Sequence, residues 1–125
     1  MIYGHGIDIL DVSRIKKAIE DSARFLNKLF TENEISYCKS KRNKYQSFAA
    51  RFVAKEAFLK ALGTGWSHGI AWTEIEVNKD PQGKPFIILS GKAKELFDKC
   101  GCTSIHLSLS HTSKLAMASV IIETL

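Results

Sequence analysis

The sequence predicts an α+β domain, a mainly antiparallel sheet packed against one long helix and shorter ones. Three observations predict it. An N-terminal segment, "MIYGHGIDIL", alternates enough to be a strand. Two pairs of short apolar segments, "WTEIEV" with "KPFIIL" and "SIHLSLS" with "LAMASVII", are each separated by turn residues. Between the first strand and these pairs runs a helical stretch that includes "RFVAKEAFLKALGTG".

In chain order, "DVSRIKKAIEDSARFLNKLF" follows the first strand with Val12, Ile15 and Ile19, then Phe25, Leu26 and Leu29, at helical spacing. Thr31 and Glu34 of "TENE" stand in capping-box register and predict the start of a short helix. The basic run "KSKRNK" leads into the long helix, which should stop at Gly63. On that helix, residues about 100° apart place Phe48, Phe52 and Leu59 on one side and Ala50, Ala54, Ala57 and Ala61 roughly opposite. Both sides look packable. Arg51 and Lys55 then lie beside the phenylalanines, while Glu56 and Lys60 share a narrow sector with Ala49 and Val53. "NKDPQG" signals a hairpin turn, "KAKELFDKCG" is a helix ending at a glycine, and the last hairpin turns at "HTSK".

The 125 residues are expected to form a single domain, 1–125, with an ordinary globular balance of 45% hydrophobic and 25% charged residues. No apolar run reaches membrane-spanning length and the N-terminus lacks signal-peptide features, which predicts a cytoplasmic protein without membrane attachment. Cys38, Cys100 and Cys102 are odd in number and lack zinc-site spacing, so they read as reduced apolar residues. The net charge is +5, and residues 11–60 alone carry twelve Lys or Arg against six Asp or Glu. Such a surface attracts anions, from nucleic acid and lipid to phosphorylated small molecules and acidic proteins, or is simply solvated.

Asp8 interrupts an apolar strand end, so it must cap a loop, pair with a cation or bind a metal. Glu56 and Lys60 have the spacing of an ordinary helical ion pair. Together with Asp8 they also have the composition of a Mg²⁺ site beside phosphate oxygens. "SHTSK" (110–114) supplies hydroxyls, an imidazole and turn amides, which suit a phosphate cradle as well as a plain hairpin turn. "GTGWSHG" follows a helix and precedes a strand, which is the wrong context for a nucleotide loop. No hydrolase, zinc-protease or kinase motif occurs, so a nucleophile would arrive on a substrate.

"GHGIDIL", "RFVAKEAFLKALGTG", "GIAWTEIEV", "DPQGKP" and "LSLSHT" occur in the order found in bacterial holo-acyl-carrier-protein synthases, the short 4′-phosphopantetheinyl transferases, and the chain resembles that family over its whole length. Val53 stands where alanine is common, and "DILD" replaces the more usual "DIVE". The resemblance implies Mg-dependent transfer of phosphopantetheine from coenzyme A to a serine of apo-acyl carrier protein, releasing adenosine 3′,5′-bisphosphate, for fatty acid biosynthesis. It assigns Asp8 and Glu56 to Mg²⁺, with Mn²⁺ as the alternative ion, and Lys60 to the phosphates and leaving group. Glu56 is also a candidate to deprotonate the serine, directly or through water. Arg51, His111 and Thr112 are expected at the 3′-phosphate, Gly63 along the coenzyme and Pro85 near the adenine. Arg14, Lys17 and Arg24 are expected to dock the carrier protein, and the family implies a homotrimer with sites between subunits. His5, His68 and His106 are left as structural or surface residues. A nucleic-acid-binding module and another Mg²⁺-dependent phosphotransferase are the competing readings. The first accounts for the basic half and not for Asp8 or Glu56.

Overall fold

A computed structural model describes residues 1–64 and 69–125. His68 and the middle of "GTGWSHG" lie outside the described residues. The order is β1 (Ile2–Asp11), α1 (Val12–Asp21), α2 (Ala23–Leu29), α3 (Glu32–Lys39), α4 (Lys44–Leu62), β2 (Ile75–Lys79), β3 (Pro85–Leu89), α5 (Gly91–Lys99), β4 (Cys102–His111) and β5 (Leu115–Thr124). Among the described residues all strand pairing is antiparallel: a three-stranded sheet ordered β1-β5-β4 and a separate hairpin β2-β3.

Two local expectations are corrected. The stretch after β1 is two helices, broken at Ser22, whose backbone is extended. The break explains the six-residue gap between Ile19 and Phe25: each helix keeps its own apolar stripe instead of sharing one. "WTEIEV" opens with a 3-10 turn, Trp72–Glu74, before the strand starts at Ile75. There the Glu74 carboxylate accepts from the amides of Ala71 and Lys92, drawing the chain back toward the start of α5.

Helix α4 crosses the inner face of the large sheet, packing against β1 and β5. The approach to β1 is close. A Cβ on Gly6 would lie 2.0 Å from the Ala57 carbonyl oxygen, and one on Gly4 1.8 Å from that of Ala61. The alanine side of α4 is therefore a seat for strand backbone, while Phe48 packs on Phe30 with the rings tilted by 52° and their centroids 5.0 Å apart. The helix closes at Gly63, whose φ of 84° suits glycine and whose amide donates to Leu59 O.

Lys55, which sequence patterning left unexplained, is completely buried, and so is Glu34. Lys55 Nζ donates to Glu34 Oε1 (2.7 Å), Leu29 O (2.8 Å) and Trp72 O (3.1 Å), so all of its donors are used. Glu34 in turn accepts from the amides of Thr31 and Val77 while Thr31 Oγ1 accepts from Glu34 N, the expected capping box. Burial pushes the Lys55 ammonium down, and Glu34 opposes that pull. The pair ties the end of α2, α3, α4, the 3-10 turn and β2 together at one point.

Gly6→Ala should lower stability by about 3 kcal/mol, because the methyl meets helix backbone and not a yielding side chain. Thermal denaturation beside a control at Gly83, where a Cβ would meet open space and only the left-handed backbone (φ 86°) costs about 1 kcal/mol, checks this. Equal losses at the two positions would overturn the packing argument.

Candidate active site

Period-two alternation puts Gly4, Gly6 and Asp8 on the same face of β1, so the contact that seats the glycines on α4 also turns Asp8 toward that helix. Glu56 stands close enough for the two carboxylates to interact directly. Burial, and then the neighbouring Asp8, push the Glu56 carboxyl up to about 7, against the pull of Lys60 and Arg14. Among the described residues, Lys60 forms no ion pair with Glu56. Its Nζ donates instead to Asp8 Oδ1 and to Ile7 O, both at 3.0 Å. Of the two readings that the spacing allows, the contact made is a bridge between helix and strand. The Lys60 side chain remains 55% exposed, so this bridge can open toward a substrate.

A cavity of about 440 Å³ opens over the two carboxylates, with Arg14, Ile15, Phe25 and Phe52 among its lining residues. Of the cations expected to dock a carrier protein, Arg14 alone lines it. Lys17 is engaged with Asp21 at 3.8 Å on the same helix, and Arg24 is exposed on α2.

A second cavity, of about 380 Å³, lies between α4, the β2-β3 hairpin and β4. It gathers Arg51, Pro85 and His111 as expected, and adds Ser47, Lys79, Lys84 and Ser108. Its lining holds three fixed cations and no carboxylate. Arg51 is 2% exposed, and its Nε has no hydrogen-bond partner among the described residues. A buried guanidinium left in that state is suited to an anion. The lysines were missed because each looked like a turn-flanking charge. Their signal lay in bracketing "DPQG" next to Pro85. Thr112 does not line this cavity: its Oγ1 accepts from the amides of Lys114 and Leu115 and closes the β4-β5 turn. Gly63 serves as the helix stop.

The three cysteines are free, and burial pushes Cys38 up to about 11, which leaves it an inert apolar thiol. His5 meets Ser119 Oγ at 3.2 Å and His106 meets Glu123 Oε1 at 2.5 Å, both on the exposed side of the sheet. No described helix is long and apolar enough to cross a membrane.

In metal-free protein the raised Glu56 carboxyl makes the fold bind a proton that the unfolded chain has lost. Stability owed to that proton is full at acid pH and fades as pH rises from about 4.5 to about 7. Glu56→Gln should therefore match the wild type below this window and exceed it above by about 1 kcal/mol, allowing for the half-exposed position. Thermal melts in EDTA from pH 4 to 8 check it; parallel curves throughout would overturn the placement of Glu56 against Asp8.

The family model described as the 4′-phosphopantetheinyl transferase superfamily matches residues 4–118. A holo-[acyl-carrier-protein] synthase of Geotalea daltonii is 48% identical over 98% of this chain and 99% of its own length. Among solved structures, a Bacillus anthracis holo-(acyl-carrier-protein) synthase in complex with coenzyme A (3′,5′-ADP) is 36% identical, with a TM-score of 0.83 over 99% of this chain and 98% of that one. The Neisseria meningitidis holo-[acyl-carrier-protein] synthase is 30% identical with a TM-score of 0.92, over 99% of this chain and 100% of its own. An acidic pair on a strand and a long helix, a lysine bridging them and a separate anion pocket are thus set in a shared fold, and the chain belongs to the 4′-phosphopantetheinyl transferase superfamily.

Proposed function

We propose that this protein is a holo-[acyl-carrier-protein] synthase, moving 4′-phosphopantetheine from coenzyme A to a serine of apo-acyl carrier protein. The observation that carries the reading is the meeting of Asp8, Glu56 and Lys60 beside one cavity, in a chain whose relatives bear that name. In the reaction the serine oxygen bonds to the phosphorus attached to the pantetheine, the bond to the other phosphate breaks, and adenosine 3′,5′-bisphosphate leaves. The hydroxyl proton passes to Glu56, directly or through a water, as the ester forms.

Two neighbouring carboxylates, one of them held part-protonated by the other and by burial, fit a divalent cation that would relieve their repulsion. Asp8 and Glu56 would hold Mg²⁺, or Mn²⁺, which when bound supplies positive charge to the pyrophosphate oxygens. Lys60 exchanges its Asp8 and Ile7 contacts for the leaving phosphate and offsets the charge that develops there. Arg51, Lys79, Lys84 and His111 receive the 3′-phosphate, with Pro85 toward the adenine. Arg14, beside the carboxylates and exposed, meets the acidic carrier protein, with Lys17 and Arg24 further out. A place in the cytoplasm, in fatty acid biosynthesis, follows from that partner.

The reading includes a homotrimer with sites between subunits. Ile7, Ile9, Leu115 and Met117 lie on the outer face of the large sheet, all more than a third exposed, and Ile9 pairs directly with Met117. The carboxylate and anion cavities share no lining residue, an arrangement that suits a site completed by a neighbour.

Intact-mass spectrometry of apo-acyl carrier protein with coenzyme A, Mg²⁺ and this protein should show the gain of one phosphopantetheine, abolished by EDTA. Asp8→Ala and Glu56→Gln should lose at least about a hundredfold in rate while staying folded, and Arg14→Glu should weaken use of the carrier more than binding of coenzyme A. Near-normal turnover in both carboxylate variants would sink the site. For the assembly, sedimentation should give a trimer for the wild type and smaller species for Ile9→Asp; a wild-type monomer would remove that part of the reading.

A further inference from the structure

Tyr37, on α3, is no part of the anion cavity's wall, yet three cations surround it. The Arg51 guanidinium carbon lies 4.1 Å from the ring centroid, Lys41 Nζ 4.7 Å and Lys79 Nζ 5.7 Å. The positive charges of Lys79, Lys41 and Arg51 together draw the phenol below its ordinary range despite its burial. Arg51 and Lys79 are the two cavity cations that this ring touches, whereas Lys84 and His111 reach the cavity from other elements.

Two like charges converging on one cavity repel each other and would splay apart on free side chains. A ring face attracts a guanidinium held over it and restricts its rotation. Arg51 is buried, its Nε has no hydrogen-bond partner among the described residues, and its guanidinium rests on the Tyr37 ring. Cations fixed in advance bind an anion without losing side-chain freedom at that moment.

We propose that Tyr37 is a positioning residue of the anion cavity: its ring seats Arg51 and holds Lys79 beside it, so that both meet one phosphate monoester and the chain selects 3′-phosphorylated coenzyme A over its dephospho form. This rests on the functional reading above and names the residue that sets its substrate preference. Tyr37 itself touches no reacting atom, and its effect is confined to ligands carrying the 3′-phosphate.

The test compares wild type, Tyr37→Leu and Tyr37→Phe on coenzyme A and dephospho-coenzyme A. Calorimetric binding of adenosine 3′,5′-bisphosphate and of adenosine 5′-phosphate runs in parallel. Tyr37→Leu should raise KM for coenzyme A about tenfold with kcat retained, the loss of roughly one charge-assisted contact. Use of dephospho-coenzyme A should stay within about twofold on the same grounds. Tyr37→Phe keeps the ring that both cations meet, so it should retain the preference to within about twofold. Equal losses on both substrates, or undiminished preference in Tyr37→Leu, would overturn the proposal. If the wild type transfers no phosphopantetheine, the functional reading fails, and the binding arm still decides Tyr37. Preference for the bisphosphate that disappears in Tyr37→Leu supports its role, and preference that persists refutes it.

Discussion

The contact between the glycine backbone of β1 and the alanine backbone of α4 is the constraint from which the rest of the site follows. Gly4 sits against Ala61 and Gly6 against Ala57. Two strand residues advance about 6.6 Å and four helix residues about 6 Å, so strand and helix stay in step as they run past each other in opposite directions. The next inward residue of the strand is Asp8, which arrives at the turn of α4 that carries Glu56. Lys60, one turn further on, reaches back to Ile7 and Asp8 because helical side chains lean toward the N-terminus of their helix. Side chains at positions 4 or 6 would hold the elements apart and separate the carboxylates.

Four charged residues on α4 meet different fates, and their partners explain the difference. Lys55 has each of its donors satisfied inside the core, so moving it would leave a buried carboxylate without its countercharge. Arg51 is equally buried but rests on a ring, with Nε left over. Lys60 is exposed and holds partners that a phosphate could replace. Glu56 is half-buried beside another carboxylate, an arrangement that costs free energy until a cation arrives. The first residue serves the fold, and the other three are each placed to gain from a ligand.

Element order, the capping box and the Gly63 stop were legible because each depends on local chemistry: period, a reciprocal side-chain cap and a left-handed backbone. Alanines opposite phenylalanines on α4 were legible as two packable sides, and the structure supplies the reason, a strand on one and aromatic packing on the other. The break at Ser22 was written only as a skipped stripe, since helical propensity on either side is adequate. Lys55 with Glu34 was not legible, because a separation of 21 positions along the chain says nothing about which buried acid meets which buried base. Lys60 was legible only in part: its i,i+4 spacing to Glu56 and its fit to a site with Asp8 could both be written, and nothing local decided for the direct contact with a carboxylate on a distant strand. Lys79 and Lys84 enter the anion cavity through the hairpin register, which pairs Lys79 with Pro85.

A site with no nucleophile of its own has a particular structural logic. An enzyme whose attacking group is one of its own side chains must hold that group near a base and an oxyanion donor, which calls for precise hydrogen bonds at the reacting atom. Here the work proposed for the chain is to hold charges at fixed places and let two substrates meet between them. Fixed charge needs rigid supports more than fine chemistry. The supports are a 19-residue helix anchored by a buried ion pair and by backbone contact with strand β1. That helix carries Arg51 toward one cavity and Glu56 and Lys60 toward the other. The motif on α4 is therefore as much a spacer as a set of functional groups. Exchanging its alanines for larger residues should damage the reaction by moving the charges, even though no alanine touches a substrate.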